Sequence, residues 1–218
     1  MPDAAARIGP NAVTRLAEAL DALRGHADTR AVFARAGLAH RLESPPERMV
    51  DEAEVVALHA ALRGLVPPDQ AAAIAFDAGR RTAAYLLAHR IPRVMHLVLP
   101  RLPARWAARI LLGAIGRHAW TFAGSGRFAV LPGRAVRFSI AGGPLARGVH
   151  AATPVCGYYA ATFQGLFRAL VAPAAQVVET ACEACGDPAC IFEIRWPSAP
   201  LPRRGSAAWS RSRSDGLI

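Results

Sequence analysis

The sequence predicts an α+β domain, a helical N-terminal region followed by an antiparallel sheet with packed helices. Two patterns predict it. Apolar residues recur at helical spacing through roughly the first half of the chain, and strand-like runs bounded by Gly and Pro follow. A third observation suggests what holds the later part together. Cys156, Glu179, Cys182 and Cys190 offer three thiolates and a carboxylate from separate elements, the donor set of a closed tetrahedral zinc. The same patterns divide the chain into a helical region over 1–68, a main domain over 69–196, and a basic tail over 197–218. In that tail Pro, Ser, Arg and Gly dominate, which predicts disorder.

The helices come first. Asn11 reads as an N-cap for a helix with Val13, Leu16, Leu20 and Leu23 on one face, ending near Gly25. A short helix over Ala31 to Ala36 stops at Gly37. After the Ser44-Pro45-Pro46 loop, Glu47 or Asp51 opens a helix carrying Val55, Val56, Leu58 and Leu62. Pro67-Pro68-Asp69 breaks the chain, and Ala71 to His89 reads as a long alanine-rich helix whose Gly79 invites close packing. Arg93 to Leu99 is apolar and of unassigned type. Pro103 then starts a helix bearing Arg105, Arg109 and Arg117, with Trp106, Ile110 and Leu111 between or opposite them.

The strands are expected from about Trp120. Phe128 to Leu131 and Ala135 to Ile140 flank Pro132-Gly133 as a hairpin, which Gly142-Gly143-Pro144 closes. Pro154 starts a helix with Cys156 in its first turn and Tyr159, Phe163, Leu166, Phe167 and Leu170 on its apolar face. Ala175 to Ala181 and Ile191 to Trp196 make two strands joined by a Cys-rich turn.

The cysteines allow other readings. Buried thiols serve as small hydrophobes, and Cys182 and Cys185 form a C-x-x-C pair that suits a redox dithiol or half of an all-cysteine zinc knuckle. Clustering favours zinc, and nothing before Cys182 reads as a thioredoxin-type strand and turn. Spacing alone leaves the fourth ligand as either Glu179 or Cys185.

Charge is more telling in its distribution than in its total. The formal net charge is +10 with no lysine, and from Gly79 to Val178 there are thirteen arginines and no Asp or Glu. A GC-rich coding bias explains arginine in place of lysine but not the missing acids. An acid-free arginine stretch suits a surface that meets carboxylates, phosphates or anionic headgroups. Nucleic acid is the weakest partner, because no helix-turn-helix, aromatic RNA-binding strand or zinc-finger histidine pair is visible. The helix after Pro103 is basic and amphipathic, the form of a membrane-surface helix and also of a core helix with a solvated face. No signal-peptide pattern and no apolar run near ~20 residues is present. The expectation is a cytoplasmic protein, with peripheral membrane contact as an option.

The block Cys156…Val-Val-Glu179-Thr-Ala-Cys182-Glu-Ala-Cys185-Gly-Asp-Pro-Ala-Cys190-Ile-Phe192-Glu-Ile resembles the signature of the 4-vinyl reductase domain family, over roughly Asp69 to Trp196. The resemblance implies a ligand-binding fold related to nitric-oxide-signalling and Golgi-transport modules. In sensor members a structural zinc is held by Cys, Glu, Cys and Cys at a spacing matching Cys156, Glu179, Cys182 and Cys190. It thereby implies Glu179 as the fourth ligand and leaves Cys185 outside the set. The chain's size and helical N-terminal region resemble the bacteriochlorophyll-pathway members more than the sensors. That implies binding of a tetrapyrrole of the divinyl protochlorophyllide or chlorophyllide class, as carrier or accessory factor for 8-vinyl reduction. The alternatives are the 8-vinyl reductase itself and a regulatory domain sensing small aromatic ligands. The localisation implied is the cytoplasm or the periphery of a photosynthetic membrane.

A reductase would need NADPH or another reductant, and no G-x-G-x-x-G stands between a strand and a helix. Candidate pigment contacts are His96 and His118 for a central magnesium, Trp106 and Trp120 for stacking, and Arg105 and Arg109, with Arg80 and Arg81, for a propionate. Each has an ordinary alternative as a structural histidine, a core aromatic or a solvated helix face. A homodimer or a complex with another pathway enzyme would suit so apolar a ligand.

Overall fold

The computed structural model describes residues 6–197. The proposed tail over 197–218 therefore lies almost wholly outside the described residues. In chain order the elements are β1 (Arg7–Ile8), α1 (Asn11–Arg24), α2 (His26–Arg35), α3 (His40–Glu43), β2 (Val50–Asp51), α4 (Glu52–Leu65) and α5 (Pro68–His89). They continue with α6 (Arg93–Val98), α7 (Ala104–Arg117), α8 (Trp120–Ala123), β3 (Arg127–Leu131), β4 (Val136–Ala141), α9 (Gly157–Leu170), β5 (Gln176–Ala181) and β6 (Cys190–Arg195). The class is mixed α and antiparallel β.

Two sheets form. β1 and β2 make a small antiparallel pair. The main sheet runs β3-β4-β6-β5, antiparallel throughout. The Pro132-Gly133 hairpin pairs as expected, with Phe128 opposite Ile140 and Val130 opposite Phe138. Phe138, opposite Phe192 in the next strand, stacks on it at 4.9 Å between ring centroids and on Phe163 of α9 at 4.2 Å. One aromatic layer thus joins the sheet to α9, the helix that crosses it. On α9's other side lies α5. Gly79 of α5 approaches the Tyr158 carbonyl so closely that a Cβ there would overlap it, and a Cβ on Gly165 would come within 2.5 Å of Ala83 Cβ. These glycines set the helix crossing. A single hydrophobic core runs from Ile8 in β1 to Ile194 in β6.

Several boundaries differ from the sequence expectations. Asn11 does not cap α1. Pro10 is already right-handed helical and takes the cap position, while the Asn11 side chain accepts from Arg15 Nε at 3.4 Å. Leu23 is exposed rather than on the buried face. α2 begins five residues before Ala31, directly after Gly25 at φ 83°. Of the two candidate openers of α4, Asp51 is the cap, accepting from Ala53 N at 2.8 Å. The strands begin at Arg127 and not at Trp120. Trp120 to Ala123 is a turn of helix, ended by Gly124 at φ 60°. Cys156 caps α9 from outside rather than lying in its first turn. Among the described residues no helix is long and apolar enough to cross a membrane.

Candidate functional site

The register of β5 against β6 determines how the cysteines and Glu179 meet. Glu179 pairs with Phe192 and Ala181 with Ile191, so Thr180 is an extra residue, a β-bulge. Side chains alternate along a regular strand, so residues three apart point to opposite faces. The bulge reverses that. Glu179 lies opposite the buried Phe192, and Cys182, one step past Ala181, is again fully buried. Cys190 enters from the start of β6, paired with the buried Ile140. Cys156 arrives from the head of α9, and its N–H donates to Glu179 Oε2 at 2.8 Å.

The ligand atoms of Cys156, Glu179, Cys182 and Cys190 all lie within 4.8 Å of one another. The Cys156 and Cys190 sulfurs are 3.5 Å apart and those of Cys190 and Cys182 3.8 Å apart. Four sulfur and oxygen atoms around one tetrahedral ion, with bonds of ~2.0–2.3 Å, sit about 3.3–3.8 Å from each other. The fit extends to the carboxylate, because Glu179 Oε1 is buried with no hydrogen-bond partner among the described residues. A buried acceptor without a donor is costly, and a cation would satisfy it. The cluster can therefore hold a metal ion.

Its electrostatics agree. Burial, reinforced by the Cys182 thiol beside it, pushes the Glu179 carboxyl up to about 8. Hydrogen bonding to Cys182 and Cys190, with burial, raises Cys156. Cys182 takes the opposite direction, down to about 4, chiefly through the hydrogen bond from Cys156. Four anions this close ionise together only around a cation. The surroundings supply supporting donors and charge. The Cys182 N–H donates to Asp187 Oδ2 at 2.8 Å, and the Glu183 N–H points at Cys190 Sγ at 3.5 Å. Arg63, whose guanidinium donates to Leu145 O at 3.1 Å, feels the field of Cys156 and Cys182. Cys185 is exposed and outside the cluster.

The candidate pigment contacts lie elsewhere. His96 is half-buried on α6. Arg105, Trp106 and Arg109 are exposed on α7, whose inner side is Ala107, Ala108, Leu111 and Leu112. Trp106 and Ile110 thus share the outer side with the arginines, while Leu111 alone faces in. His118 follows α7 with Nδ1 3.0 Å from Ala114 O, and Trp120 opens α8; both are exposed. Trp106 and Trp120 are therefore not core aromatics.

Two arginines offered for a propionate are already engaged. Arg80 and Arg81 both hold Asp77, each with a contact at 2.6 Å, because the last acid before the acid-free stretch lies one helical turn away.

Sequence reasoning missed Glu52 and Arg147. Glu52, nearly buried at the start of α4, accepts from Arg147 Nη1 at 2.6 Å, from Ser125 N at 2.8 Å and from Ser125 Oγ at 2.7 Å. Burial acts to raise its pKa, but the bonds from Arg147 and Ser125 outweigh it and hold the carboxyl below its ordinary range. With 95 residues between the partners, no local signal marks the pair. Asp187 was visible only as part of a Gly-Asp-Pro turn.

The vinyl-4-reductase (V-4-R) domain model matches residues 136–196, which contain β4 to β6, α9 and the whole cluster. The bacteriochlorophyll synthase 23 kDa chain of Cereibacter sphaeroides is 42% identical over 193 residues, covering 88% of this chain and 92% of that one. The chain of the same name from Rhodobacter capsulatus is 37% identical over 188 residues, 86% of each. Among solved structures, the phenol-responsive sensory domain of the transcription activator PoxR, with phenol, aligns over 78% of this chain and 90% of that one. Its TM-score is 0.46 at 17% identity. A vinyl-4-reductase family protein from Methanocaldococcus jannaschii covers 64% of this chain and 88% of its own, with a TM-score of 0.34 at 10% identity. The two relatives named as 23 kDa chains match over nearly their whole lengths, and the protein belongs to their family, the bacteriochlorophyll synthase 23 kDa chains that carry this domain.

Proposed function

We propose that the protein is an accessory factor of bacteriochlorophyll biosynthesis that binds a tetrapyrrole intermediate and presents it for 8-vinyl reduction. The observation that carries this reading is the 42% identity over 92% of a relative named as a bacteriochlorophyll synthase chain. The intermediate is of the divinyl protochlorophyllide or chlorophyllide class, and other enzymes of the pathway are the partners that receive it. The outward faces of α6 to α8 supply suitable contacts. Trp106 and Trp120 stack on a macrocycle, Arg105 and Arg109 pair with its propionate, and His96 or His118 reaches a central magnesium.

The ion at the cluster is zinc, held by Cys156, Glu179, Cys182 and Cys190. Sulfur-rich ligation and tetrahedral spacing support that choice over magnesium or calcium, which take oxygen ligands in larger number. With four protein ligands the zinc supplies folding energy and ties the head of α9 to β5 and β6.

The test is anaerobic incubation of purified, metal-analysed protein with divinyl protochlorophyllide, with and without NADPH, followed by pigment chromatography. A pigment absorbance shift without conversion is the expected result. Conversion to the monovinyl form would instead make the protein the reductase. A response to small phenolics with none to porphyrins would make it a sensor, and absence of any binding would overturn the pigment reading.

A further inference from the structure

Six of the eleven large apolar side chains exposed among the described residues lie between Val94 and Trp120. They are Val94, Leu97, Val98, Trp106, Ile110 and Trp120, and Trp106 is 64% exposed. On α7 they form a stripe. Trp106, Ile110, Gly113 and Arg117 follow one another at helical spacing on the side opposite the buried Ala107, Ala108, Leu111 and Leu112. Arg105 and Arg109 flank the stripe, and Arg93 and Arg101 belong to α6 and the turn after it. Among the described residues none of Arg93, Arg101, Arg105, Arg109 and Arg117 is in an ion pair. Arg80, Arg81 and Arg147, by contrast, are neutralised by Asp77 and Glu52. The acid-free stretch therefore carries its uncompensated charge where it also exposes its apolar side chains.

We propose that this α6–α7 surface, with Trp120 after it, docks on the headgroup region of an anionic lipid bilayer. The chemistry fits one occupant. Exposed tryptophan and branched aliphatic side chains enter the boundary between headgroups and acyl chains, and arginines at their edge meet lipid phosphates. Their charge complements an anionic leaflet, and each arginine near such a surface adds about fivefold in partitioning. Among the described residues no helix is fit to cross the bilayer, so the contact is in the plane of the surface. The inference goes beyond the pigment reading and does not depend on it, because it rests on surface charge and exposure alone.

The experiment uses the full chain and pigment-free vesicles, either pure phosphatidylcholine or phosphatidylcholine with phosphatidylglycerol, in co-sedimentation. Tryptophan emission and its quenching by brominated acyl chains are followed in parallel. Expected are binding to the anionic vesicles only, a blue shift, and weakening by added salt. The Arg105→Gln/Arg109→Gln protein should partition about thirtyfold less, and Trp106→Ser should lose most of the blue shift. The double variant keeps Arg203, Arg204, Arg211 and Arg213 of the C-terminal tail. Unchanged binding by it would assign the attraction to that tail and overturn the proposal. So would absence of binding at low salt, or equal binding to neutral vesicles. If Trp106 emission responds to tetrapyrrole in vesicle-free buffer but never to vesicles, the surface is a pigment site only and the membrane proposal fails. Failure of the pigment reading leaves the vesicle result standing.

Discussion

Replacing Gly79 with Ala tests the α5–α9 contact on which the sheet and the cluster rest. The added methyl would overlap the Tyr158 carbonyl and lie 2.9 Å from Ala161 Cβ. Neither obstacle yields easily. The Tyr158 carbonyl accepts from Thr162 Oγ1 at 2.8 Å, and the same hydroxyl is 3.1 Å from Gly79 O. One turn on, Thr82 and Tyr158 share a buried hydroxyl pair at 2.8 Å. The helices must separate, which costs about 3 kcal/mol at the upper end of ordinary overpacking. Ala gains about 1 kcal/mol over Gly in a helix, leaving a net loss of about 2 kcal/mol. For a chain of this length that lowers Tm by about 4–8 °C. Gly113→Ala is the control, since a Cβ there meets nothing within 4 Å, and it should be neutral or stabilising. Thermal melts by circular dichroism read both. Gly79→Ala melting at or above the parent would refute the close approach, and a matching loss in Gly113→Ala would refute the reasoning from Cβ contacts.

The other expectations concern metal and acid. Cys182→Ser and Cys190→Ser should lose bound zinc and much of their stability, while Cys185→Ser keeps both; metal analysis after gel filtration decides, and full zinc in Cys182→Ser would sink the assignment. A strong chelator should lower Tm of the metal-loaded protein, whereas a Tm indifferent to chelation would mean the metal adds nothing to folding. His59 is buried beside Arg63, and burial, with that charge, lowers its pKa to about 3. Its folded value lies below the unfolded one, so the stability is present above about pH 6.5 and lost on acidification. The slope should reach up to about 1.4 kcal/mol per pH unit between pH 6.5 and 3. His59→Leu should flatten that slope in denaturant titrations, and an unchanged slope would place the acid sensitivity elsewhere. Glu52→Gln should cost about 1–3 kcal/mol by leaving Arg147 without its charge partner. Because the Glu52 pKa is depressed, the parent's advantage over the variant should shrink as pH falls below about 4.

The legible parts of this chain were those with local causes. Pro132-Gly133 dictates the hairpin turn, the alanine-rich run dictates α5, and the Cys and Glu residues cluster as their spacing suggested. What escaped depended on distant partners or on competition between neighbours. Trp120 and Phe122 carry strand propensity, yet the chain keeps a helical turn there until Gly124 releases it. Asn11 lost its expected cap position because Pro10 was already helical. The Glu52–Arg147 pair closes over too long a stretch for any window to reveal. The candidate pigment residues were recognisable by type, but the sequence placed Trp106 and Ile110 between or opposite the arginines, while α7 turns them out beside them.

The bulge at Thr180 ties sheet register to ligand identity. Were Thr180 to pair with Ile191 in place of Ala181, β5 would run on without a bulge. Ala181 would then lie beside Cys190 and Cys182 would turn to the opposite face, so one donor would be lost with no ligand mutated. A metal ion entering during folding therefore acts as a proofreader of strand alignment. It binds only the chain whose β5 has slid to the correct pairing, and it withdraws the slipped alternatives from the ensemble. For expression in metal-poor medium, the expected fault is a population misaligned along one edge of the sheet, recoverable by zinc only after β5 unpairs.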